Sequence, residues 1–460
     1  MSFESSEFCR LDMKWILGFG VLIGTMGYYW WKKSQYTNTG ASDGKIPKGS
    51  LGWPLIGETL SFIACGYSSR PVSFMEKRRS LYGKVFKSHL LGRPIIVSTD
   101  PDVNKVVLQN NGSIFIPYYP KSITELLGKS SILQMNGSLQ KRVHGLIGGF
   151  LRSPQLKAKV TKQMELSIGL SMNTWKDKKL IYIQEETRNI AFEVLVKVLM
   201  SVNPGEDLEF FKREYREFIK GLICFPIKLP GSQLYKSLKA KERLLKLVRN
   251  IVEEKKFKLD KEGKLDTIKD VVEVLLCDAG EDGNEIQRLP LDSSEENMEL
   301  KRRKIQLSQE YVWTDYISLP FTQNVINETL RMGNIINAVW RKALKDIEIK
   351  GYLIPKEWCV LASFGSVHMD DKNYENPCQF DPWRWQKKQE QSGTTSKNFT
   401  PFGGGQRLCP GLELSRLEVS IFLHHLVTRY RWMAEEDFIV NFPTVKMKHK
   451  MLITVTPIST

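Results

Sequence analysis

The strongest chemical signal in the chain is a cysteine inside a glycine loop. From Pro401 the sequence runs PFGGGQRLCPGLELSRLEVSIFLHHLV. It holds one thiol, Cys409, followed by apolar residues at helical spacing. A thiolate needs nearby positive charge, helix N-terminal amides or a metal to persist at neutral pH. A helix start fits the loop, because Pro410 suits a first helical turn. Gly403, Gly404, Gly405 and Gly411 would let the backbone approach a flat ligand closely. Arg407 could pair with an acidic group on that ligand. Taken alone, the pattern also fits a free cysteine in a glycine turn.

Two more stretches carry charge at meaningful spacing. PFTQNVINETLRM, from Pro320, puts Glu328 and Arg331 three residues apart, on one helix face where they can pair. That spacing is common on solvated helices. FDPWRW, from Phe380, contains Arg384. INAVWRKALKDIEIKGYLIPKEW, from Ile336, alternates as strands do around a Gly351-Tyr352 turn.

Together these segments resemble the cytochrome P450 family. Phe402 to Gly411 looks like that family's cysteine-ligand loop, with every key position filled. The resemblance implies a mainly α fold with small β-sheets and an N-terminal transmembrane anchor. It implies that Cys409 is the axial thiolate of a haem iron, pushing electron density that favours O–O cleavage. Phe402, Gly403, Arg407 and Gly411 would then flank the cofactor, and Arg341 would hold a propionate. Glu328, Arg331 and Arg384 match the family's buried charge network beneath the haem, a scaffold role. Ile335, Ile336, Ala338 and Val339 fall in the segment that usually lines the substrate pocket, with ordinary strand core as the competing reading. No catalytic residue is assigned beyond the haem ligand.

GSLQKRVHGLIGGF departs from the family pattern. A tryptophan and an arginine four residues later are common there, and Gln140 and His144 stand in their places. His144, Lys141 or Arg142 could still reach a propionate, and a solvated basic face fits as well. The resemblance runs from about Ser50 to the C-terminus. GSLGWPLIGETLSFIACGYSSRP and the 320 and 400 segments look most like plant enzymes that hydroxylate brassinosteroid precursors, nearest to those acting on the sterol side chain at C-23. This implies a sterol substrate, molecular oxygen and an NADPH–cytochrome P450 reductase.

These residues need elements to position them. Trp15 to Trp31 reads WILGFGVLIGTMGYYWW, an uncharged run near the minimum for a bilayer span, with aromatics at one end and Lys32 and Lys33 beyond. The expected layout is a tail at 1–14, an anchor at 15–31, a linker and hinge at 32–50, and a haem-thiolate domain at 51–460. The positive-inside rule puts that domain in the cytosol, and the family context puts the anchor in the endoplasmic reticulum membrane. LEFFKREYREFIK and the following lysine-rich segment predict two amphipathic helices broken at Pro226 and Pro230.

One element is missing from the pattern. The family has a long apolar helix across the distal face of the haem, carrying a small-Gly-x-acid-hydroxyl motif that guides protons. Ala279-Gly280-Glu281-Asp282 begins like that motif, but Gly283 stands where the hydroxyl belongs, and the preceding apolar run is short. SEENMELKRRKIQLSQEYV, from Ser294, is polar almost all round and predicts an exposed helix. The expectation is a deletion with its junction near Leu291-Asp292-Ser293-Ser294. That would make the chain a splice-type or mis-assembled variant, with a catalytically impaired or regulatory isoform as the alternative function.

Composition agrees with a large folded domain: 460 residues, 42% hydrophobic. The net charge of +16 is scattered and lacks a nucleic-acid motif, so no nucleic-acid partner is expected. Seven spread cysteines without a CxxC exclude a disulfide framework or a zinc knuckle. His424-His425 sits in an apolar helix pattern and reads as packing.

Overall fold

The computed structural model describes residues 20, 24–28, 45–54, 56–68, 72–109, 112–175, 180–262, 293–389, 397–441 and 445–458. Ala279 to Gly283, the Leu291-Asp292 side of the expected junction and most of the 15–31 stretch lie outside these residues. Among the described residues, no helix is long and apolar enough to cross a membrane.

The fold is mainly helical with small sheets. Helices Pro154–Asn173, Ile183–Met200 and Leu412–Arg429 share one core, with Val160, Ile168, Val194, Leu417 and Ile421 all buried in it. Ser153 starts the first of these, its hydroxyl accepting from the Leu156 amide at 3.3 Å ahead of Pro154. A five-stranded sheet joins distant parts of the chain. Its order is Val85–Leu90, Arg93–Ser98, Cys359–Ser363, Ala338–Ala343 and Phe115–Pro117. Only the Arg93–Ser98 to Cys359–Ser363 pairing is parallel. Cys359–Ser363 is buried throughout, as befits a central strand with both faces covered.

The two amphipathic helices occur as expected, Glu206–Lys220 and Gln233–Glu262, with Pro226 and Pro230 between them. The 347–354 hairpin differs by one residue. Ile349 pairs with Tyr352, so Lys350-Gly351 forms the turn, both with positive φ.

Helix Ser293–Gln306 corrects the expectation of an exposed helix. Glu296, Asn297, Leu300 and Lys304 are buried. Three of these four are polar, which is why hydrophobic periodicity misses the face. Each polar group is satisfied by a residue from elsewhere. Glu296 accepts from the amides of Phe321 and Thr322 at 3.1 and 3.0 Å and from the Thr322 hydroxyl at 2.9 Å. It thereby supplies acceptors for the otherwise orphaned first amides of helix Pro320–Met332. Asn297 donates to Thr322 and accepts from His424 Nδ1 at 3.0 Å. Lys304 pairs with Asp315 at 2.7 Å. His424 and His425 are both buried packing residues, as expected. Burial, with the charge of Lys301, holds the pKa of His424 down at about 4.

Glu418, on the same helix as these histidines, has a buried Oε1 with no hydrogen-bond partner. Burial pushes its pKa up to about 8. The folded chain therefore binds a proton that the unfolded chain releases above about pH 4.5, and this contribution to stability is lost as pH rises through 8.

Two outcomes follow. Replacing Glu296 by Ala should cost about 1–3 kcal/mol in urea unfolding, because buried amides lose their acceptor, and Glu296→Gln should recover part of it. Glu418→Gln should differ least from the native chain at pH 5. Its relative stability should then rise toward pH 8 by up to about 1.4 kcal/mol per pH unit, read as unfolding midpoints across pH.

Candidate haem-thiolate site

The cysteine loop is shaped by its own backbone. The Cys409 amide donates to the Phe402 carbonyl at 3.0 Å, closing the loop, and Gly405 to Arg407 form a single 3₁₀ turn. Gly403 and Gly405 have φ of 80° and 64°. A Cβ on Gly405 would stand 2.3 Å from the Leu108 carbonyl oxygen, so no side chain fits there. Helix Leu412–Arg429 begins three residues after Cys409, with Gly411 as its N-cap. Pro410 thus precedes the helix instead of lying in its first turn. Cys409 is exposed just ahead of that helix. Cys359, by contrast, is buried, and its thiol is pushed up to about 12 by burial.

The charge network assembles around Glu328, whose side chain is fully buried. Arg331 makes a two-pronged contact with it, Nη2 to Oε1 at 2.7 Å and Nε to Oε2 at 2.9 Å. Arg384 Nε and the Asp381 amide donate to Oε1, each at 3.0 Å. Burial raises the carboxyl's pKa, but Arg331, the Asp381 amide and Trp385 outweigh it, and the net shift is downward. Trp385 donates its indole N–H to Oε2 at 3.0 Å and was not singled out in the sequence. The signal for it was its place beside Arg384 in FDPWRW, since a buried indole needs an acceptor.

The network reaches the cysteine loop in three contacts. Arg331 Nη1 donates to the His368 carbonyl at 2.9 Å. His368 Nε2 accepts from the Thr400 amide at 3.1 Å. The Thr400 carbonyl accepts from the Gly403 amide at 3.0 Å. Burial holds the pKa of His368 down at about 3, so its ring stays neutral and keeps that acceptor.

Arg341 is buried on strand Ala338–Ala343, and its guanidinium donates to the Trp340 carbonyl of its own strand. Arg407 donates to Met135 and Ile132 carbonyls and to the Asn136 side chain. Burial lowers the pKa of Arg407, and the charge of Arg341 lowers it further. Among the described residues, neither forms an ion pair with a carboxylate. His144 meets the loop at the Leu408 carbonyl, at 2.7 Å. Of the expected pocket residues, Ile335 and Ile336 are mostly exposed. Ala338 and Val339 pack against different clusters, on opposite faces of their strand, so their side chains do not share one wall.

The family model for cytochrome P450 matches residues 47–300 and 297–456 of this chain. The chain belongs to the cytochrome P450 family. It is 59% identical over 450 residues to the 3-epi-6-deoxocathasterone 23-monooxygenase CYP90C1 of Arabidopsis thaliana, covering 90% of this chain and 85% of that protein. It is 50% identical over 457 residues to the 3-epi-6-deoxocathasterone 23-monooxygenase CYP90D1 of the same plant, covering 92% of each. The fold matches that of a retinoic acid bound cyanobacterial CYP120A1 with a TM-score of 0.74 at 23% identity, over 90% of this chain and 100% of the other.

P450 monooxygenases carry a cysteine-thiolate-ligated haem. The residues present fit such a group. An exposed cysteine stands at a helix start, and two arginines that pair with no carboxylate among the described residues suit a ligand bearing two carboxylates.

Glu328→Gln should destabilise the chain by about 3–5 kcal/mol, because it strands the buried Arg331 charge. Trp385→Phe should cost less, about 1–2 kcal/mol, since Glu328 keeps its other donors. Thermal unfolding of the two variants checks the order.

Proposed function

We propose that this P450 descends from, and retains the site plan of, a membrane-anchored monooxygenase that hydroxylates a plant sterol in brassinosteroid biosynthesis. Cys409 would hold the haem iron through its thiolate. Arg341 and Arg407 would hold the propionates, with Phe402, Gly403 and Gly411 beside the group. Glu328, Arg331 and Arg384 hold the loop in place. The Cys409 loop, closed at the start of helix Leu412–Arg429 and tied to the Glu328 network through His368 and Thr400, is the observation that carries this proposal. The names of the two Arabidopsis relatives support a C-23 position on a sterol side chain. Haem would supply oxygen activation, with electrons from an NADPH–cytochrome P450 reductase. An anchor at 15–31 would hold the chain on the endoplasmic reticulum membrane, with the catalytic domain in the cytosol.

A second reading has its own support: a catalytically impaired or regulatory isoform that lacks the distal helix. The alignment with CYP90C1 runs over 450 positions but uses 90% of the 460 residues here, about 414. About 36 positions of the relative therefore have no counterpart, which as helix would span about 54 Å. The family match also falls into two passes that meet at 297–300, close to the expected junction. Both observations support a deletion where the proton-guiding helix belongs.

Reduction under carbon monoxide separates the readings. An assembled site gives the red-shifted Soret band of a thiolate complex, and Cys409→Ala removes it. Reconstitution with reductase and 3-epi-6-deoxocathasterone then tests turnover. A thiolate band without C-23 hydroxylation favours the impaired isoform, and no band at all defeats the monooxygenase proposal for this chain.

A further inference from the structure

Helix Gly137–Arg152 runs along the cysteine loop in a fixed register. Gln140 Nε2 donates to the Gln406 carbonyl at 3.4 Å. His144 Nε2 lies 2.7 Å from the Leu408 carbonyl, which can only accept, so this nitrogen carries the proton. A Cβ on Gly148 would stand 3.8 Å from Pro410. Positions 140, 144 and 148 share one helix face, and each successive one meets the next alternate residue of the loop. Arg407, the residue between the first two rungs, reaches back to Met135 and Asn136 just ahead of the helix. The three residues before Cys409 are thus all tied to the 132–144 segment. Cys409 sits between the Leu408 and Pro410 rungs with its thiol exposed.

We propose that Gln140 and His144 are positioning residues that clamp the loop carrying Cys409, instead of meeting a bound ligand. Gln140 is buried, and its contact is with loop backbone. His144 spends the nitrogen at its outer end on the carbonyl immediately before the cysteine. The pair fixes the direction of the thiol in the empty chain, before any cofactor arrives. Its consequence for haem capture rests on the assignment of Cys409 as ligand, but the clamp itself does not.

The test therefore uses the full-length protein without haem. Hydrogen exchange is followed at the Leu408 and Cys409 amides, which bond to the Gly405 and Phe402 carbonyls. Iodoacetamide labelling of Cys409 is followed by peptide mass spectrometry, with Cys378 as the exposed control. His144→Leu combined with Gln140→Leu should raise loop exchange and Cys409 labelling about tenfold. Exchange in helix Pro320–Met332 should be unchanged. His144→Gln, whose amide nitrogen can reach the same carbonyl, should restore most of the protection, and the shorter His144→Asn should not. If the double variant fails to fold, the glutamine and asparagine variants carry the comparison. Unchanged loop exchange in the leucine or asparagine variants overturns the proposal. So does a weaker haemin titration in His144→Leu with native loop exchange, since His144 would then act on the bound group. A chain that binds no haemin defeats the cofactor assignment and leaves the exchange result to decide the clamp.

Discussion

The Glu328 carboxylate is the interaction on which the rest of the structure depends. Five donors from four residues converge on its two oxygens, and they come from one helix and from the chain some fifty residues later. A buried carboxylate is expensive, and only full saturation of its lone pairs makes it tolerable. That requirement pins the 379–385 stretch against helix Pro320–Met332. Through His368 and Thr400 it also sets where the cysteine loop begins. The loop's chemistry is local, but its location is not.

The same economy recurs at helix Ser293–Gln306. Glu296, Asn297 and Lys304 do the work that leucines do elsewhere, each matched to a donor or acceptor on a neighbouring helix. A polar seam of this kind specifies one docking geometry, because any slip leaves buried groups without partners. Apolar contacts tolerate repacking more readily. The segment just after the expected deletion is therefore attached by directional bonds to Thr322 and His424.

Much of the site was legible in the sequence where function demands rare residue types at fixed spacing. Cys409 among glycines, Glu328 and Arg331 on one helix turn, and Arg384 nearby needed no tertiary information to be noticed. What escaped depends on partners far along the chain. The buried face of Ser293–Gln306 looks like a solvated one until Thr322 and His424 are placed beside it. In the segment expected to line the substrate pocket, the adjacent strand residues Ala338 and Val339 face opposite ways and pack against different clusters. His144, expected near a propionate, meets the loop at the Leu408 backbone carbonyl.

The contact between His144 and Leu408 also has a timetable. The two residues are 264 positions apart. At synthesis rates of 5–20 residues per second, the helix that carries His144 waits roughly 13–50 s for the loop it grips. During that interval its loop-facing side has no native partner. The cysteine loop emerges long after that helix, and it docks onto a surface already made. Docking of the loop is accordingly a late event, and any nascent or truncated form that stops short of Gln406 would present the face carrying Gln140 and His144 with no loop to grip.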